Sequence, residues 1–250
     1  MNKASFLGPI NRFFDETSPM VRIIVILNVV VFIVPFVLDQ IGVVYKAMPL
    51  SDLLLIYGAK DNIAIAAANQ YYRFFTMMFL HGNILHLLFN TFAIVQIGVT
   101  VERMSDHKRF LGIYFIGGGA GGVASYLFTA NASVGASGAV FALIGAMGAF
   151  VWMNRGAYGE HAKQILASIA FTALINLFFG YSMPNIDNMA HIGGLIGGLL
   201  TGFFLMPRLT EQFTDSGIVR LRIPPTWGWN ATIGFAAVLF AIVAVSVPAL

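Results

Sequence analysis

The chain has 250 residues, of which 58% are hydrophobic and 10% charged, and a mean hydropathy of +0.81, figures that exclude an ordinary soluble globule and place it in the membrane class. Cysteine is absent, which excludes a disulfide framework, a thiolate nucleophile and cysteine-ligated metal or iron–sulfur centres. A net charge of +3 and a pI near 9.3 would suit an anionic partner, but the basic residues are spread thinly along loops between apolar runs, a pattern that fits membrane topology rather than nucleic acid.

Met1 to Arg12 carries charge but runs into Phe-Phe-Asp-Glu, not into an apolar core with a small-residue cleavage site. No cleaved signal peptide is expected, so the first span stays in the mature protein. Apolar runs of about 17 to 25 residues can cross the hydrocarbon core as helices, which satisfy every backbone group internally. Seven such runs are predicted, at 21–38, 74–101, 110–130, 137–153, 164–180, 188–206 and 230–249. Between the first two, Leu53 to Tyr57 and Ile63 to Ala68 are apolar but too short to span, so this interval is expected to lie partly in the interface.

With a cytoplasmic amino terminus, Lys3, Arg12, Arg22, Arg103, Lys108, Arg109, Arg155, Lys163, Arg208, Arg220 and Arg222 fall inside, and only Lys46, Lys60 and Arg73 fall outside. That imbalance predicts the orientation and puts the carboxyl terminus outside. Glycines recur within the spans, at 117–119, 121–122, 145, 148, 193–194 and 197–198, where small residues let helix backbones approach closely.

His107 and His161 fall in charged cytoplasmic loops and read as solvated. His81, His86 and His191 map to the outer half of the membrane, where ionisable residues are costly and face the bundle interior or a wet cavity. Ser137 opens the fourth run between Gly135 and Gly138, which suit a bent chain, while the unpaired first amides of the helix can donate to an anion. Taken alone, Ser137 also reads as an ordinary N-cap serine. His191 opens the sixth run in Ala190-His191-Ile192-Gly193-Gly194, at similar depth, so the two are placed to form a nucleophile and its base. A buried histidine bonded to a carbonyl is the plainer alternative. His86 and Asn90 share one helix face, as donors to an oxyanion or as a helix–helix polar contact. No acidic residue stands beside the three histidines, so no metal site is expected.

These motifs resemble those of the rhomboid family of intramembrane serine proteases: Gly135-Ala136-Ser137-Gly138-Ala139, Ala190-His191-Ile192-Gly193-Gly194 and His86-x-x-x-Asn90, joined by Tyr72-Arg73, His81 and Glu102-Arg103. The resemblance implies Ser137 as nucleophile and His191 as general base, a dyad with no third acid. It implies an oxyanion hole of His86, Asn90 and the Ser137 amide. Arg73, His81, Glu102, Gly135, Gly138, Phe141 and Gly194 take supporting roles, with Arg73 and Glu102 holding the approach loop and a helix end and Gly194 lying where the fourth and sixth helices touch. Two positions depart from the family pattern: Tyr72 replaces a tryptophan and Phe141 a tyrosine common in bacterial members, each keeping an aromatic ring.

The expected fold is an all-α polytopic membrane protein, a rhomboid-like six-helix core plus a seventh C-terminal transmembrane helix. Its parts are a cytoplasmic segment at 1–20, the catalytic core at 21–206, a cytoplasmic linker at 207–229 and the seventh helix at 230–250. The expected activity is serine endopeptidase cleavage of single-span membrane proteins near the outer leaflet, in the lipid bilayer of a bacterial inner membrane, without cofactor or nucleic acid. Two rivals are a catalytically silent scaffold that binds membrane helices, which usually lacks the serine or histidine, and a transporter, which predicts broken helices in an internal repeat that the chain does not have.

Overall fold

The computed structural model describes residues 18–45, 48–183, 186–214, 217–246 and 248. Up to residue 17 the expected amino-terminal segment, like Lys46, lies outside the described residues. In chain order, α1 (Pro19–Gln40) leads to a small hairpin of β1 (Val44–Tyr45) and β2 (Met48–Pro49), then to α2 (Leu50–Gly58), α3 (Asn62–Ala68) and α4 (Arg73–Thr76), and on to the long α5 (Ile84–Ser105) and α6 (His107–Phe128). There follow α7 (Ser137–Met153), α8 (Arg155–Tyr158), α9 (His161–Ser182), α10 (Asn188–Leu205), a hairpin of β3 (Arg208–Thr214) and β4 (Gly217–Ile223), and α11 (Gly228–Val245). Six of these helices, α1, α5, α6, α9, α10 and α11, are long and apolar enough to cross a membrane. Helix α7 is apolar but only 17 residues long, about 25 Å at about 1.5 Å per residue. The chain is an integral, multi-pass, helical membrane protein.

The core is built where small residues meet. Nearly every side chain of α7 is buried, as befits a helix apolar all round, and it is flanked by α6 and α10. A methyl group at Gly194 would overlap the Gly138 carbonyl, one at Gly198 the Ala142 carbonyl, and one at Gly145 the Leu195 carbonyl. On the other side of α10, a methyl at Gly193 would stand 2.7 Å from the Ala120 carbonyl oxygen of α6. In lipid no hydrophobic force drives helices together, so close packing of this kind has to hold them. Helices α1, α9 and α11 leave most of their length facing outward. The start of α1 is nonetheless fixed, because the Glu102 carboxylate at the far end of α5 accepts from the Met20 and Val21 amides at 3.0 and 2.9 Å. Two of the first α1 amides, which have no acceptor within their own helix, are thereby satisfied by another.

Two stretches differ from the sequence expectation. The second span does not begin at Phe74. Helix α4 and a 3₁₀ turn (Met77–Phe79) are followed by a break, and α5 starts at Ile84 with Asn83 as its cap, accepting from the His86 amide at 2.9 Å. Gly82-Asn83 supplies the break and the cap, and His81 therefore sits in the turn before the span. The stretch read as a linker at 207–229 contains the antiparallel β3–β4 pair, whose register runs from Arg208 opposite Ile223 to Thr214 opposite Gly217. It is anchored by Asn154 at the end of α7, which accepts from the Leu209 amide at 2.7 Å and donates to the Pro207 carbonyl at 3.1 Å.

Candidate active site

Ser137 is the first residue of α7, and its approach is an extended segment. Gly135 has φ of +125°, a conformation that a side chain would strain, and its amide donates to the Met77 carbonyl at 2.9 Å. A methyl at Gly135 would also stand 2.6 Å from His86 Nε2 and 3.6 Å from Asn90 Nδ2. Only glycine fits there, and its bareness leaves the two donors of α5 aimed at the chain two residues before Ser137. His86 is half-buried and edge-on to the buried His81 ring, centroids 5.2 Å apart. Asn90 is buried, and its Nδ2 has no acceptor among the described residues.

The second side chain comes from the opening turn of α10. His191 Nε2 lies 2.8 Å from Ser137 Oγ, and the imidazole stacks flat on Phe141, centroids 4.5 Å apart and planes 10° from parallel. Phe141 is one turn beyond Ser137 on α7, so the same helix supplies one group and the wall that orients the other. His191 Nδ1 has no partner among the described residues. The structure thus brings together Ser137, His191, His86, Asn90, Gly135, Gly138, Phe141 and Gly194, with His81 behind His86.

Arg73 and Glu102 stand apart from this group. Buried Arg73 donates to the Ala59 carbonyl and to Gln70 Oε1, both at 2.7 Å, tying α4 to the corner between α2 and α3. Glu102 sits at the opposite end of α5, binding the start of α1 and, at 2.7 Å, His107 Nδ1.

Sequence reading passed over two ionisable residues near the site. Lys60, taken only as an outer charge, is fully buried, and its ammonium donates to Asn62 Oδ1 and to the Thr129 and Asn131 carbonyls at 2.9, 2.8 and 2.8 Å. Desolvation lowers its pKa from 10.5 to about 8, against the opposing pull of Asp187 and Asp61. Asp187, just before α10, caps that helix by accepting from the Ala190 amide at 3.0 Å. An acidic residue three positions before Ala190 was a readable N-cap signal. Lys60 offered none, because its partners are mostly backbone carbonyls.

A family model described as Rhomboid domain matches residues 68–208, more than half of the chain and every residue of this group. The chain belongs to the rhomboid family. It is 42% identical over 148 residues to Rhomboid protease GluP of Bacillus subtilis (strain 168), which covers 59% of this chain and 28% of that protein. To RHOMBOID-like protein 4 of Arabidopsis thaliana it is 37% identical over 161 residues, 64% of this chain and 40% of that one. RHOMBOID-like protein 7 of the same plant is 35% identical over 219 residues, 76% of this chain and 69% of its own length. The chain thus spans well under two thirds of the first two relatives, and the family model begins at the last residue of α3, so α1, α2 and α11 lie outside it.

Proposed function

We propose that this rhomboid is an intramembrane serine endopeptidase that cuts single-span membrane proteins within or near the outer-leaflet part of their helix. The reading is carried by the 2.8 Å approach of Ser137 Oγ to His191 Nε2 in a chain with no cysteine to serve as nucleophile. A serine hydroxyl is a weak nucleophile until a base takes its proton. In the proposed reaction Ser137 Oγ attacks the scissile carbonyl carbon as His191 Nε2 accepts the hydroxyl proton. The carbonyl oxygen becomes an anion, which the Ser137 amide, Asn90 and His86 stabilise as donors. His191 then returns the proton to the departing amine, leaving an acyl ester on Ser137. A water attacks that ester with the same histidine as base.

For Nε2 to take the proton, the resting imidazole carries its hydrogen on Nδ1, the nitrogen that has no acceptor among the described residues. Phe141, not a carboxylate, fixes the ring plane. A helical peptide bond is shielded by its own hydrogen bonds, so the substrate segment has to unwind beside Ser137. This favours helices with Gly, Pro or Asn near the scissile bond and a small residue before it, since Gly135 and Gly138 leave little room.

The test is incubation of the purified protein in detergent and in liposomes with tagged single-span substrates, one with a Gly-Pro break and one with a uniform Leu helix, beside Ser137→Ala and His191→Ala. The wild type is expected to cut the broken helix faster, and each variant to abolish cleavage while keeping its fold. A double variant is expected to be no worse than either single one, because the two act as a unit. Cleavage by a single variant, free of contaminating protease, removes the dyad. Equal cutting of both helices removes the unwinding requirement alone.

A further inference from the structure

The segment that delivers Ser137 is held at every second residue. Thr129 is fixed through its carbonyl by Lys60 Nζ and by Asn62 Nδ2 at 2.8 and 3.0 Å, and Asn131 through its carbonyl by Lys60 Nζ at 2.8 Å. Ser133 is fixed by a backbone pair with Lys60, at 2.9 and 3.1 Å, and Gly135 by Met77. The next position in the series is Ser137. Lys60 and Asn62, from the corner between α2 and α3, therefore form a rail along which the chain leaves α6 and reaches α7.

The rail fixes only one of the two reacting groups. Besides the packing of α7 on α10, a carboxylate ties it to the other. Asp187 accepts from the Ala190 amide in the first turn of α10 and, through its own carbonyl, from the His191 amide at 3.3 Å. The same carboxylate accepts a short hydrogen bond from Ser125 Oγ, in the last turn of α6, and another from Thr129 Oγ1 at 3.3 Å, where the rail begins. Ser125 is fully buried, so water does not compete for its hydroxyl. Asp187 makes no hydrogen bond to His191 Nδ1, which excludes it as a third member of the dyad in this structure.

Resting on the protease reading above, the geometry points to Asp187 as a positioning residue, which acts with Ser125 and Thr129 to lock the root of the Ser137 segment to the helix turn that carries His191. Added to the direct contact of α7 and α10, it steadies the distance between the two reacting side chains without touching either. Misplacement of reacting groups by about 1 Å costs roughly 10²-fold in rate, so loosening this bridge falls on the chemical step. The loss is therefore expected in kcat rather than in KM.

The bridge is tested with Ser125→Ala, which removes one arm and leaves the α10 cap intact, together with Asp187→Ala and Asp187→Asn. Asparagine keeps an acceptor for the Ala190 amide and offers a donor to the Ser125 hydroxyl, which can reverse its role. Three readouts are taken on the full-length protein in detergent: kcat and KM on a single-span substrate, thermal midpoint, and labelling of Ser137 by an alkyl fluorophosphonate. That reagent phosphonylates an activated serine with loss of fluoride and needs no bound helix. Expected are losses of about tenfold or more in kcat and in labelling rate for Ser125→Ala and Asp187→Ala, with KM near wild type, a midpoint near wild type for Ser125→Ala and one lowered only by the lost cap for Asp187→Ala, and recovery of most of the loss in Asp187→Asn. Unchanged kcat in Asp187→Ala overturns the assignment, as does a loss that follows the thermal midpoint or appears only in KM. An Asp187→Asn variant as poor as Asp187→Ala also overturns it, since charge rather than geometry would then be at work. If the wild type itself is neither labelled nor active, the protease reading falls and the positioning role with it.

Discussion

Asn90 has a buried amide nitrogen without an acceptor among the described residues, and leaving such a group unpaired costs on the order of 1–3 kcal/mol. An oxygen that gains negative charge beside Gly135 would supply the acceptor. Asn90→Ala is therefore expected to lower kcat by roughly 10²-fold with little change in KM, and steady-state kinetics over a range of substrate concentrations checks the split. Lys60 gives a different signature. Its pKa, lowered from 10.5 to about 8 by desolvation, means that between these values the unfolded chain holds a proton that the folded one has released. Stability contributed by this group thus rises with pH across that window and is flat below it. The thermal midpoint of the wild type, compared with Lys60→Met, is expected to climb from pH 8 to pH 10, and a falling difference would contradict the burial of its charge. Ser137, His191, His86 and Asn90 were legible because polar side chains at membrane depth stand out against apolar neighbours. Lys60 and Asp187 were not, because a charged residue in a loop is unremarkable until the loop is seen folded into the protein.

Helices were easier to read than the joints between them. Each of the seven apolar runs contains a helix, since a helix satisfies its own backbone in lipid, and Ser137 to Met153 has the bounds expected of it. The break before α5 was missed because Gly82 and Asn83 lie inside an unbroken apolar run, where hydropathy outweighs cap chemistry. The β3–β4 hairpin reads as a linker because its strands carry Arg208, Glu211, Arg220 and Arg222, which give it the charge of a loop. The alternation of apolar and basic residues in Val219-Arg220-Leu221-Arg222-Ile223 is a strand signal in plain view. Contact between α7 and α10 makes its own prediction. Gly194→Ala is expected to destabilise the protein by about 1–3 kcal/mol and to depress phosphonate labelling of Ser137, because the added methyl overlaps the Gly138 carbonyl. Gly119→Ala on α6, where a methyl meets nothing within 4 Å, serves as the control and should change neither. Thermal unfolding in detergent, with labelling on the same samples, reads both.

Across the whole molecule, the uneven distribution of Lys and Arg predicts the amino terminus inside and the carboxyl terminus outside. With 0 cysteines in the chain, a single cysteine at Asn2 or at Ser246 reports its side directly. In sealed membrane vesicles of known orientation, an impermeant maleimide is expected to label the two on opposite faces, and labelling on one face would contradict this topology. The family model leaves α11 outside, yet α11 packs against α6 and α10, the two helices that enclose α7. The meeting of α7 and α10 has a further consequence. Side-chain packing can be retuned in small steps, a methylene at a time, but Gly138 and Gly194 meet backbone to backbone and leave no smaller residue to try. A change at this seam therefore has no intermediate step, whereas the outward faces of α1, α9 and α11 carry no such limit, so the bundle can be altered at its rim without moving the two helices that hold Ser137 and His191.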